Sequence, residues 1–383
     1  MATSPRRRGQ IASFHLFGVT IDVQLSWALV ALLIATSLAS GSFPLLYAGM
    51  PATAYWAMAA IVVIGLGASI VLHELAHTLV GRAMGMPIHH ITLFMFGGVA
   101  ELEQEPKAAR IELAMALAGP ALSIVLGLGL GFLASALKGG GGPAAVADAF
   151  GYLATLNLVL AGFNMVPAFP MDGGRVLRAL VWMFTGRLDR ATRIATALGE
   201  GFGVLLVALG IVGALLGQIV GGLWWILIGF FIHSAARASR AQMEGHQALA
   251  GVKVAQVMTS RLDTAPAEMT LDEFVERRLF ATRHGLYPVA QHDRWVGVVT
   301  PEDILSVARP RWPVTRLLDI CTPASQVATV APSDDAAAAL DRMQQSGSAR
   351  VLVLDQDALV GIVTLRDLQE RLRLAQRFAP TPA

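Results

Sequence analysis

Apolar runs without a single Asp, Glu, Lys or Arg dominate the first two thirds of this chain. They lie between Asp22 and Glu74, Glu112 and Lys138, Asp148 and Asp172, and Glu200 and Arg237. Each is long enough for one or two helices of the ~20 residues that cross ~30 Å of hydrocarbon. The pattern predicts spanning helices near Leu25–Ser40, Tyr55–Arg82, Ile111–Leu137, Phe150–Pro170, Ala197–Gly217 and Gly221–Ala236. Two shorter stretches have another rhythm. Ile11 to Gln24 alternates around Gly18 and predicts a short β hairpin at the membrane edge. Ile88 to Glu105 is too short and interrupted to span, and its β-rich, glycine-punctuated sequence predicts a re-entrant β segment.

Past Arg237 charges return at ordinary density and the sequence repeats. Val296-Gly297-Val298-Val299-Thr300-Pro301-Glu302-Asp303 returns as Val360-Gly361-Ile362-Val363-Thr364-Leu365-Arg366-Asp367, and Val257-Met258-Thr259 is echoed by Ile320-Cys321-Thr322. Two β-α-β-β-α units sharing one core are implied. The expected fold is a polytopic α-helical membrane protein of about six transmembrane helices, with the N-terminal hairpin and the re-entrant segment, plus an α/β tail. Its boundaries fall at 1–240 for the membrane body and 250–307 and 312–373 for the repeated units.

Composition and charge narrow this picture. Of 383 residues, 55% are hydrophobic and 15% charged, whereas a soluble domain carries roughly a quarter charged residues. The lipid bilayer is thus a partner, and a net charge of +2 gives no electrostatic case for nucleic acid. Basic residues select the orientation. With six crossings, Arg6–Arg8, Arg82, Lys107, Arg110, Arg175, Arg178, Arg187, Arg190, Arg193, Arg237 and Arg240 share one face, and Lys138 alone marks the other. The positive-inside rule makes the N-terminus and the tail cytosolic in a multi-pass cell-membrane protein. Cys321, the sole cysteine, excludes an intrachain disulfide and a thiolate zinc cluster, and reads as a small apolar residue of the tail.

Candidate chemistry begins at His73-Glu74-Leu75-Ala76-His77. Residues four apart on a helix stand nearly one above the other, so both imidazoles can hold one zinc ion. Glu74, turned about 100° from His73, stands beside the metal, where a general base takes a proton from water. It is also a lone carboxylate in a long uncharged run, and intramembrane ionisable groups are functional by default. Two histidines leave the site incomplete, and Asp172 is the candidate third ligand. It follows Asn164-Met165-Val166-Pro167-Ala168-Phe169-Pro170-Met171, where two prolines break the helix, and precedes the tight-turning Gly173-Gly174. Unwound backbone at membrane depth survives only inside protein or along a cavity; a plain turn residue at the boundary is the competing reading of Asp172. The charge-based topology puts His77, five residues before Arg82, and Asp172, three before Arg175, at the same cytosolic end.

The H-E-x-x-H helix followed by N-x-x-P-x-x-x-x-D-G, matched by Asn164, Pro167, Asp172 and Gly173, resembles the double signature of the site-2 protease family of intramembrane zinc metalloproteases, from Phe14 to about Arg240. The repeated tail resembles a CBS domain pair. The resemblance implies one zinc per chain on His73, His77 and Asp172, Glu74 as base, and Asn164 near the scissile carbonyl as a positioning or oxyanion contact. It also implies that the β segment with Gly97-Gly98 receives substrate as an added strand, and that Gly119-Pro120 marks a small-residue helix packed on the metal helix. Ser123 stands near the place where many relatives carry Asn. For the tail, it implies that Thr300, Asp303, Thr364 and Asp367 contact the ribose and phosphates of ATP or another adenosyl nucleotide, and that the pair can form a homodimer. Outside these motifs, Asn157 reads as an interhelical packing contact, and His89 and His90 as polar anchors at the interface.

The expected function is hydrolysis of a peptide bond in a transmembrane protein substrate, with nucleotide at the CBS pair gating access. The alternative is a CBS-regulated channel or transporter with Glu74 as an ion site. Transport requires neither the paired histidines nor the Asp-Gly-Gly turn.

Overall fold

The computed structural model describes residues 9–95, 97–102, 106–260, 262–280, 285–292 and 294–378. Arg6–Arg8 and the last residues of the expected re-entrant segment lie outside them. The chain divides after Ala241 into two units.

The first unit opens with β1 (Gln10–Leu16) and β2 (Val19–Gln24), an antiparallel hairpin closed by Leu16 opposite Val19. Its two-residue turn needs positive φ at both positions, which Phe17 (50°) and Gly18 (73°) supply. Strands β3 (Ile88–Phe94) and β4 (Gly97–Leu102) form a second hairpin. The two expected β segments are one structure: β3 pairs in parallel with β2, giving a four-stranded sheet in the order β1-β2-β3-β4.

Six helices among the described residues are long and apolar enough to cross a membrane. The first, Leu25–Leu46, comprises α1 (Leu25–Ser37), a π turn and α2 (Phe43–Leu46). The others are α3 (Ala52–Ala83), α4 (Ala109–Gly139), α5 (Ala144–Asn164), α7 (Leu188–Leu215) and α8 (Ile219–Leu249). Helix α5 stops at Asn164, six residues before the expected end, because the turns at Pro167 and Pro170 begin there. Helices α7 and α8 run past their apolar runs into charged sequence, which a helix tolerates once it leaves the hydrocarbon. Between α5 and α7 lies α6 (Asp172–Thr185), a 14-residue amphipathic helix that begins at Asp172 and ends at Gly186 in the left-handed conformation.

Helix α3 is the organising element. Roughly 100° of rotation per residue puts Val71 and Leu75 on one stripe and His73 and His77 on nearly the opposite one. Val71 and Leu75 pack against Val19, Ile21, Ile91 and Leu93 of the sheet. The histidine stripe meets α4, which also packs on α5 and α6.

In the second unit, β5 (Ala265–Pro266), β6 (Tyr287–Gln291), β7 (Arg294–Val299) and β8 (Thr322–Pro323) form one sheet, and β9 (Thr329–Val330), β10 (Arg350–Asp355) and β11 (Ala358–Thr364) another. The repeats exchange edges. Strand β8, at the head of the second repeat, pairs with β7 of the first, while Thr259, at the head of the first, bridges to Ile362 in β11. Cys321 is half-buried against Gly297, and burial pushes its thiol up.

Candidate metal centre

Three donor atoms from two segments distant in sequence meet at one point. His73 Nε2 lies 3.1 Å from His77 Nε2 and 3.1 Å from Asp172 Oδ2, and His77 Nε2 lies 3.2 Å from the same Oδ2. Both histidines are buried and Asp172 nearly so. A tetrahedral metal with bonds of about 2.0–2.1 Å separates its donors by roughly 3.3 Å, so this triangle fits one ion with little adjustment.

The imidazoles are aimed from behind. His77 Nδ1 lies 2.6 Å from the Met115 carbonyl, which can only accept; Nδ1 therefore carries the proton and Nε2 keeps its lone pair. His73 Nδ1 is 2.9 Å from Ser123 Oγ, itself fully buried. Both partners belong to α4. Between them Gly119 faces the donors so closely that a Cβ there would stand 2.6 Å from His73 Nε2 and nearer still to His77 Nε2. Pro120, the next residue, has no N–H to return to the helix.

Asp172 is delivered by the break after α5. Residues 165–171 keep their backbone bonded without a helix: Ala168 N–H donates to Val166 O at 2.7 Å and Phe169 N–H to Ala195 O of α7 at 3.1 Å. Ala168 and Met171 are buried with Leu206 of α7 and Ile232 of α8. Gly173 and Gly174 leave no room for a Cβ against the backbone of residues 165–169, so the Asp-Gly-Gly sequence folds the new helix tightly onto the break. Asp172 is the first residue of α6, where the helix dipole favours a carboxylate. Asn164 ends α5 with Nδ2 3.5 Å from His73 Nε2, at the rim of the triangle.

Glu74 projects between the histidine stripe and the sheet. Gly98, second residue of β4, covers it: a Cβ at Gly98 would sit 3.2 Å from Glu74 Oε1 and clash with its Cγ. His89 and His90 are placed on β3 and contribute no donor to the triangle. Asn157 donates to Ser69 Oγ of α3 at 3.1 Å, an interhelical contact.

Several participants were not legible as such. Ser123 was marked only as standing near a place where many relatives carry Asn; four residues beyond Gly119, it shares that residue's face of α4, which is what brings its hydroxyl to His73. The Met115 carbonyl carries no sequence signal at all. Arg178, counted above among the basic residues at the membrane boundary, is buried at 5% exposure and bonded to Glu112, itself 2% exposed. Its partner is 66 residues away, so the pairing could not be read along the chain.

In the tail, Thr300 and Asp303 bond each other. Thr300 Oγ1 and N–H both donate to Asp303 Oδ2 at 2.8 Å, and Asp303 N–H donates to Thr300 Oγ1 at 3.3 Å. Thr364 and Asp367 repeat the arrangement at 2.7, 2.8 and 3.2 Å. These are capping boxes on the helices Pro301–Leu305 and Leu365–Phe378.

A model of peptidase family M50 matches residues 61–150 and 142–209, and a CBS domain model matches 254–309 and 318–374. A Mycobacterium tuberculosis protein that bears a zinc metalloprotease name, Rip3, is 37% identical over 377 residues, covering 98% of this chain and 96% of its own. A Synechocystis protein, also bearing a zinc metalloprotease name, is 32% identical over 355 residues and 91% of each chain. Among solved structures, the site-2 protease from Methanocaldococcus jannaschii aligns at 29% identity with a TM-score of 0.43, over 60% of this chain and 95% of that one.

Proposed function

The chain belongs to the site-2 protease family, peptidase family M50, and from that membership we propose that it hydrolyses a peptide bond within a transmembrane segment of a membrane protein. One observation carries the proposal: two imidazoles of α3 and a carboxylate that begins α6 present lone pairs to one point, 3.1 to 3.2 Å apart.

The donor chemistry, two neutral nitrogens and one carboxylate oxygen, is that of a catalytic zinc site with a position left open. His73, His77 and Asp172 are the ligands, and a zinc ion there supplies a Lewis acid that activates water and polarises the scissile carbonyl. Glu74 takes the attacking water's proton and returns it to the leaving amine. The Asn164 amide donates to negative charge developing on the carbonyl oxygen. Strand β4, which among the described residues pairs with β3 alone and rests over Glu74, offers an edge on which an unwound substrate adds as a strand.

The protease body occupies 1–240 and the two CBS modules 250–307 and 312–373, with both termini in the cytosol of the cell membrane. ATP or another adenosyl nucleotide binds the CBS pair through Thr300, Asp303, Thr364 and Asp367 and gates the site. The pair is also the surface for a homodimer. The deciding experiment measures zinc and cleavage of a labelled single-span reporter by the full chain in bilayer nanodiscs. Glu74→Gln should keep about one zinc and lose turnover; a variant that still cleaves overturns the role of Glu74. Cleavage insensitive to ATP removes the gating.

A further inference from the structure

Helix α4 orients two of the three donors directly, through Met115 O, Ser123 Oγ and the bare face of Gly119. The third donor reaches α4 by another route. Arg178 Nε donates to Glu112 Oε1 at 2.6 Å, and Arg178 Nη2 contacts the same oxygen. Glu112 lies one turn before Met115 on α4, and Arg178 lies six residues after Asp172 on α6. We infer that the Glu112–Arg178 ion pair is a positioning device for the metal centre: it locks α6 onto α4 and so sets Asp172 against histidines that α4 itself aims. The inference rests on the zinc reading above and adds the pair that gives the site its geometry.

The need for such a lock follows from how Asp172 arrives. Helix α6 is reached through the irregular segment 165–171, and its first residue must place a single oxygen, Oδ2, within 3.1 and 3.2 Å of two imidazoles. Apolar packing of a short helix tolerates sliding and rotation. A charge-assisted hydrogen bond between buried groups does not. Steps of three residues drift by about 60° around a helix, so Asp172, Arg175 and Arg178 lie on an inclined ridge of α6 that turns by about 120° from end to end. Arg175, in the middle, is within electrostatic reach of Glu74, Asp172 and Glu112. Fixing Arg178 therefore fixes the ridge.

The pair's own chemistry argues against simple stabilisation. Buried ion pairs are often no more stabilising than apolar residues of similar size. Glu112 Oε2 has no hydrogen-bond partner among the described residues, so the bonding of this carboxylate goes through one oxygen to Arg178. What the pair supplies is direction.

The test compares zinc affinity with folding in the full chain, using chelator competition for zinc and thermal unfolding in nanodiscs. Glu112→Gln and Arg178→Gln should each hold zinc about 10- to 100-fold more weakly, the range for lost outer partners of a metal site. The decisive variant combines Glu112→Met with Arg178→Met. It should melt no lower than the wild type yet bind zinc as weakly as the single variants. Wild-type zinc affinity in that folded double variant would overturn the inference. If it does not fold, Arg178→Lys decides: weaker zinc upholds the positioning role and unchanged zinc overturns it. A wild-type chain that binds no zinc would instead sink the metalloprotease reading.

Discussion

Gly119 stands against His77 so closely that no side chain fits between α4 and the imidazole Nε2. The same is true of His73, whose Nε2 would meet a Cβ at 2.6 Å. A methyl group at position 119 would occupy the ground where the donors converge. Gly119→Ala should therefore cost most of the bound zinc while leaving the helices in place, because Ala is the better helix former. Metal analysis beside circular dichroism would show it. A Gly119→Ala chain that keeps about one zinc would mean the helices separate with ease, and the account of α4 as a rigid template would fail.

Gly98 should behave in the opposite way. Its contact is with Glu74, not with the donors. A methyl there pushes the carboxylate aside or lifts β4 from α3, and neither disturbs His73, His77 or Asp172. Gly98→Ala is expected to retain zinc and lose at least about 100-fold in turnover, the scale of a general base's contribution. Loss of zinc along with turnover would show that the hairpin supports the metal centre itself.

Ser123 gives a graded test. Its hydroxyl is the only described partner of His73 Nδ1, and orienting partners are worth about 10- to 100-fold in metal affinity. Ser123→Ala should weaken zinc by that order, and Ser123→Thr, which keeps the hydroxyl, should restore part of it. Equal affinity for Ala and wild type, measured by chelator competition, would show that packing alone aims the ring.

The contrast among these residues says what a sequence can hold. Spans were legible because hydrocarbon thickness imposes length and forbids charge, and His73, Glu74 and His77 because helical spacing turns sequence distance into direction. Asp172 followed from the prolines and glycines around it, whose backbone demands are local. The Glu112–Arg178 pair was not, since it acquires meaning only when helices distant in sequence are brought side by side, and Ser123 was marked by its place near a family position but not by its bond to His73. Likewise the two β segments each announced a hairpin, but their union through β2 and β3 depends on the path of α3 between them. Arg178 shows the hazard most clearly: as a charge beside an apolar run it counted toward topology, whereas the fold buries it against Glu112.

The CBS residues pose a last question that hydrogen exchange can answer. Asp367 Oδ2 already accepts from Thr364 N–H and Oγ1, and Asp367 N–H donates back to that hydroxyl. The carboxylate is thus a helix cap before it is anything else. Asp367→Ala should release the first turn of Leu365–Phe378 at a cost of about 1 kcal/mol, typical of a lost cap. That corresponds to roughly five-fold faster amide exchange there, if local opening governs it. ATP should slow exchange at those amides in the wild type and have less effect in Asp367→Ala. If ATP protects both chains equally, Asp367 serves the helix alone and nucleotide is held by other groups. If it protects neither, the CBS pair acts without nucleotide.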